Sequence, residues 1–247
     1  MNRAVYVAGA GVISAIGKNV SENLDALQHC RAGIGYMGYL DSVYRNKLPV
    51  AEVKASNGEL SLLAGLPENK SRTALLGAIA AREAISTSGI DDISRYRTGF
   101  ISANSVGGMD KSEKFFAQFL ENNNKGRLRD VVHHECGSVT ELVADALGIK
   151  DHISTVSTAC SSSANAIFYG ARLIKSGLLD IVVAGGTDSL TRFTLNGFNT
   201  LMILDEQFCQ PFDENRRGLN LGEGAGYIVL VSEKLAKNLS VKPTVTL

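Results

Sequence analysis

The chain has no tryptophan, four prolines and four cysteines in 247 residues. The cysteines (Cys30, Cys136, Cys160, Cys209) are widely scattered. No Cys-x-x-Cys pair and no Cys/His spacing suited to a metal occurs, which argues against a zinc module, a dithiol redox site or a disulfide-built scaffold. Free thiols of this kind fit a reducing, cytoplasmic setting. Charge of one sign is also missing. Lys plus Arg and Asp plus Glu each total 25, for a formal net charge of zero. Nothing therefore marks a general nucleic-acid or membrane-surface binder. No apolar run reaches the roughly 18 residues that a membrane span requires. The first residues lead directly into a β-like run at Ala4 to Ala8, without the apolar core of a signal peptide.

Glycine, by contrast, is plentiful at 25 residues. A chain of this length suits one large α/β domain or two small ones. After Ala4 to Ala8, the stretch Gly9 to Gly17 reads as a glycine-rich turn. It superficially resembles a dinucleotide fingerprint. Ser14 stands where the third glycine belongs, however, and no strand with a terminal acid follows about 20 residues on. Tight backbone packing is the better reading. Val20 to Arg31 predicts a helix with Leu24 and Leu27 on its inner face. Gly33 to Gly65 reads as loops and short strands. Ser71 caps a predicted helix that runs to about Ser88 and stops at Gly89. Thr98 to Ala103 reads as a buried strand. Gly107-Gly108 opens a segment whose Phe115, Phe116, Phe119 and Leu120 suit a core or a partner face. Asn122 to Arg129 is a polar break. A short helix is expected over Ser138 to Leu147, ended by Gly148. Further strands are expected at Ile153 to Ser157, Asp180 to Ala184 and Tyr227 to Val231. Strands alternating with helices predict a mainly parallel sheet covered on both faces. Lys242 to Leu247 starts another β-like run, from which we expect the chain to be one half of a larger unit.

The stretch Val156-Ser157-Thr158-Ala159-Cys160-Ser161-Ser162-Ser163-Ala164 stands at the centre of this pattern. An apolar run meets a cysteine, and small residues then turn into a helical pattern from Ala164 to Ser176. A thiol at such an elbow faces the unpaired N–H groups and positive dipole end of a helix. Those conditions favour a thiolate nucleophile. A buried structural cysteine is the competing reading.

Five stretches together resemble the N-terminal half of the β-ketoacyl-acyl-carrier-protein synthases, condensing enzymes of the thiolase-like superfamily. They are Val5 to Ser14, Val156 to Ser162, Ala184-Gly185-Gly186-Thr187-Asp188, Pro211-Phe212-Asp213-Glu214-Asn215-Arg216-Arg217-Gly218, and Leu221 to Gly226. Asp188 stands where the family usually has Glu. The resemblance implies a thiolase-like α/β half over residues 1–247, with a five-stranded mixed sheet and helices on both faces. It implies a decarboxylative Claisen condensation of an acyl primer with a malonyl-type extender on acyl carrier protein, in fatty-acid or polyketide-like synthesis. Cys160 is then the nucleophile and its backbone N–H one oxyanion donor. No metal, nucleotide or nicotinamide is implied, and the phosphopantetheine arm arrives with the carrier. A homodimer, or a heterodimer with a related subunit, is expected. The family's two histidines and lysine for decarboxylation lie in the other half. A non-catalytic, chain-length-factor-like subunit is the rival reading, but such subunits usually lack the cysteine. A thiolase acting on coenzyme A thioesters fits the Thr-Ala-Cys-Ser-Ser context less well.

The remaining candidates carry structural expectations. His133 and His134 fall in a stretch that matches nothing in the family and read as a solvated loop. His152 reads as structural, as do Glu223 and Asp213. Phe198 and Met202 suit either an acyl channel or the core. Ser162 and Ser163 suit a helix cap, or space kept around the sulfur.

Overall fold

The computed structural model describes residues 4–239 and 243–247. Strand β1 (Val5–Ser14) leads through α1 (Val20–Gln28) and α2 (Asn57–Ala64) to the long α3 (Arg72–Thr87). Then come β2 (Thr98–Ala103), α4 (Met109–Glu121), α5 (Cys136–Leu147), β3 (His152–Val156) and α6 (Ser162–Lys175). Strand β4 (Ile181–Asp188), α7 (Arg192–Thr200), β5 (Gly224–Ser232), α8 (Glu233–Ala236) and β6 (Val245–Thr246) complete the order.

The strands form a single mixed sheet in the order β3-β2-β4-β5-β1-β6. Strands β3, β2 and β4 run parallel, and β5, β1 and β6 are joined by antiparallel pairing. The sheet thus has six strands rather than five, the sixth a two-residue pairing of Val245 and Thr246 with β1. The expected run began at Lys242, which lies outside the described residues. Helix α3 covers one face through Leu75, Ala78 and its neighbours, over Phe100, Ile181, Val183 and Tyr227. Helix α6 covers the other through Ala166, Ala171 and Ile174, over Ile101, Val182 and Ala184. Burying each large side chain of these two cores contributes about 1.5–3 kcal/mol.

Gly9 to Ser14 is not a turn. Strand β1 continues through it, with a register shift between Val7 and Gly9. The glycines are there because α3 lies directly on the strand. A Cβ on Gly11 would stand 2.0 Å from the Ala80 carbonyl oxygen. Close approach of two backbones, not chain reversal, explains the pattern. Helix α1 also differs from expectation. It buries Asn23 and Ala26, while Leu24 and Leu27 are exposed. Asn23 is drawn inward because its amide bonds the carbonyls of Gly17 and Asn19. Helix α2 arises where loops were expected. Its signal is the capping box Ser56-x-x-Glu59, in which serine and glutamate satisfy each other's backbone N–H. The termination of α3 near Ser88 is as read, with Gly89 at φ +70°.

Candidate active site

Strand β3 delivers the chain to the C-terminal edge of the sheet, beside the ends of β2 and β4. The chain then reverses in a tight 3₁₀ turn, Ala159–Ser161, before α6 begins. Ala159 makes this elbow possible at φ +54°, a left-handed conformation that costs a non-glycine residue roughly 1–2 kcal/mol. Polar side chains hold it there. The Ser162 hydroxyl accepts from Thr158 N at 2.7 Å and donates to the Ala159 carbonyl at 2.6 Å. Ser161 donates to the Thr158 carbonyl, and the Asn165 amide donates to the Thr158 hydroxyl. Ser162 is therefore spent on the turn, not on the helix N–H groups, which receive no side-chain cap. The Cys160 N–H likewise finds no acceptor among the described residues. Cys160 is an exposed, unpaired thiol. The buried-cysteine reading is thereby corrected. The apolar run ends at Val156, four residues short of Cys160, and the strained turn carries the sulfur out of the core.

The end of β4 forms the floor of the elbow. A Cβ on Gly186 would stand 2.2 Å from the Ser163 hydroxyl and 2.9 Å from the Ala103 carbonyl, so only glycine permits α6 to seat here. Asp188 follows, and its carboxylate accepts from Ser105 N at 2.8 Å and Val106 N at 3.1 Å. This fixes the loop after β2. Burial pushes the Asp188 carboxyl above the usual range, against the pull of those two N–H groups. Cys136 lies behind the same ends. Burial pushes its thiol up, with the Asp188 charge in the same direction and a hydrogen bond to Ser157 opposing. Cys136 is thus held as a thiol.

The other singled-out residues fall elsewhere. The Glu223 carboxylate is wholly buried and paired with Arg72 at 2.6 Å. It also accepts from Val53 N and Leu190 N, which leaves it no free lone pair for proton transfer. Sequence reasoning misses Arg72; the available signal is an arginine at the first position of α3, directly before a run of small and apolar residues that are all buried. Asp213 caps its own surface turn at Asn215 N. The neighbouring Phe212 is fully exposed at φ +67°. Phe198 and Met202 do not enter the core: both are exposed, Met202 at 89%. The same holds for Phe116, Phe119 and Leu120 on α4. An apolar cavity of about 560 Å³ opens between α4 and α7, lined by Met109, Phe115, Phe116 and Phe193. His134 reaches its wall, with Nδ1 2.8 Å from the Ser112 hydroxyl. Neither His133 nor His134 bonds Cys160 among the described residues. His152 packs edge-on against Tyr169. Among the described residues no cluster of three His, Cys, Asp or Glu could hold a metal ion, and no helix is long and apolar enough to cross a membrane.

Known proteins resemble this chain in sequence and in fold. The family model "Beta-ketoacyl synthase, N-terminal domain" matches residues 2–236. Nodulation protein E of Rhizobium sp. (strain N33) is 27% identical over 246 residues, covering 94% of this chain and 58% of that protein. The 3-oxoacyl-[acyl-carrier-protein] synthase 2 of Staphylococcus aureus (strain N315) is 27% identical over 248 residues, covering 96% of this chain and 59% of that protein. The solved ishigamide ketosynthase/chain length factor superposes with a TM-score of 0.90 at 26% identity, over 100% of this chain and 62% of that one. The chain therefore spans a little over half the length of the curated relatives it matches. Fold, exposed elbow cysteine and matched relatives agree: the chain belongs to the β-ketoacyl synthase family, matched over its N-terminal domain.

Proposed function

We propose that the chain is the nucleophile-bearing half of a cytoplasmic β-ketoacyl-acyl-carrier-protein synthase. The Cys160 thiolate attacks the carbonyl of an acyl thioester presented on the phosphopantetheine arm of the carrier protein. The tetrahedral oxyanion is met by the Cys160 N–H, collapses, and expels the carrier thiolate, leaving an acyl-cysteine. A malonyl-type extender then loses carbon dioxide, and its carbanion attacks the acyl-cysteine and frees the Cys160 sulfur. The observation that carries this reading is the exposed thiol on a strained turn, at the start of a fourteen-residue helix whose first N–H groups have no side-chain cap. Such a terminus favours negative charge, and thiolates attack and leave thioesters well.

The protein needs no metal or cofactor of its own in this scheme. Acyl carrier protein is the delivering partner, and a second synthase-type subunit completes a homodimer or heterodimer. The S. aureus relative is named for carrier-protein chemistry, and the ishigamide protein pairs a ketosynthase with a chain length factor. A non-catalytic subunit role is disfavoured by Cys160, which such subunits do not need.

Intact mass after incubation with acyl-carrier or acyl-coenzyme A thioester tests the proposal. One acyl group should be added to the wild type and none to Cys160→Ala. An adduct that persists in the variant overturns it. The 247-residue chain alone should acylate without releasing β-ketoacyl product when malonyl-carrier is added, because its four histidines lie at none of the family's decarboxylation positions. Steady product release refutes that.

A further inference from the structure

A buried ion pair normally contributes little net stability, because desolvation offsets attraction. The Arg72–Glu223 pair is nonetheless built with unusual completeness. Arg72 Nε lies 2.9 Å from both carboxylate oxygens and Nη2 2.6 Å from one. The remaining guanidinium hydrogens reach the Val53 and Ala55 carbonyls and the Asn57 side chain. Glu223 in turn takes Val53 N at 2.9 Å and Leu190 N at 3.0 Å. One pair thus joins the start of α3, the 53–57 segment, the start of β5 and the β4–α7 loop.

The loop it grips leads directly to the elbow. Leu190 is held by Glu223, and Ser189 bonds the Thr73 hydroxyl at 2.8 Å. Thr187 donates to the Thr73 carbonyl at 2.8 Å. One residue earlier, Gly186 abuts Ser163 in the first turn of α6. The end of β4 is therefore clamped on its α3 side by Arg72, Thr73 and Glu223, while its other side supports the helix that presents Cys160.

We propose that Arg72 and Glu223 are positioning residues for Cys160, acting through the end of β4 to set the first turn of α6. The proposal rests on the reading of Cys160 as an activated nucleophile. The test is the alkylation rate of Cys160 by iodoacetamide at neutral pH, followed by peptide mass spectrometry with exposed Cys30 as internal reference. Wild type should alkylate Cys160 well ahead of Cys30. The apolar pair Arg72→Met/Glu223→Leu, of similar volume, strands the Val53 and Leu190 N–H groups and the Val53 and Ala55 carbonyls and should melt lower than wild type. Assayed at a temperature where circular dichroism shows it folded, it should lower the Cys160-to-Cys30 rate ratio about tenfold, as small misplacements of reacting groups do. A folded double variant with an unchanged ratio overturns the proposal. Should the double variant not fold, Arg72→Lys decides by the same ratio, since lysine keeps the charge but not the fork of contacts. A wild type in which Cys160 is no faster than Cys30 overturns both this proposal and the nucleophile assignment, and it does so before any variant is made.

Discussion

At the scale of single residues, the site is governed by what each polar group meets. Cys160 and Cys136 carry the same chemistry, yet one is exposed and the other is driven toward the neutral thiol by burial. Asp188 carries the clearest pH consequence. Its folded pKa is raised, chiefly by burial. A carboxyl raised in the folded state holds its proton more tightly there than when unfolded. Its contribution to stability is complete below the unfolded value, about pH 4, and is lost as pH rises through the raised folded value. Asp188→Asn keeps an acceptor for Ser105 N and Val106 N but cannot ionise. Its urea midpoint, compared with wild type, should improve as pH rises above about pH 4 and level off once pH passes the raised folded value. A constant difference across that range would show that Asp188 is not the titrating group. The sequence exposed Cys160 through its neighbours, because a β-branched run meeting small residues is local information. It did not expose the Glu223–Arg72 pair, whose members are far apart in the chain and meet only across the fold.

Elements are placed by contacts between backbones. Helix α3 lies on β1 because Gly9 and Gly11 leave it room, and α6 lies on β4 because Gly170 and Gly186 do. Gly11→Ala forces a methyl group onto the Ala80 carbonyl and should cost on the order of 3 kcal/mol in denaturant unfolding. Gly197→Ala is the matched control. It lies inside α7 with nothing within 4 Å of the new methyl, so it should gain up to about 1 kcal/mol. Equal effects at the two positions would mean that backbone proximity does not set the α3–β1 spacing. The helices with local signals were legible: Ser71 starting α3 and Gly148 ending α5 act through their own turns. The inner face of α1 was not, because a buried asparagine with two backbone partners outcompeted two leucines on a peripheral helix.

For the whole molecule, the sheet has two margins among the described residues, the five-residue β3 and the two-residue β6, and β3 is the longer. Strand β3 lies at the edge, with Ile153 exposed, and Phe168 and Tyr169 on α6 are exposed beside it. An unpaired strand edge next to apolar side chains is a template for association. It fits the proposed dimer of synthase-type subunits. Sedimentation at micromolar concentration should find a dimer or larger species, and Ile153→Lys with Phe168→Glu should shift it toward monomer. A wild-type monomer, or variants that associate equally well, would remove β3 and α6 from the interface. What the sequence determined by itself was most of the strands, the helices α1, α3, α5 and α6, the elbow at Cys160 and the family, because periodicity, caps and contiguous motifs are written within a few residues. It missed α2, and the sheet it led us to expect as mainly parallel has three antiparallel pairings against two parallel ones. What only the tertiary structure decided was the continuation of β1 through its glycines, the sixth strand, the outward turn of Leu24, Leu27, Phe198 and Met202, and the buried clamp of Arg72 on Glu223. Each of these depends on which distant surface packs against the residue, and one-dimensional spacing does not encode that.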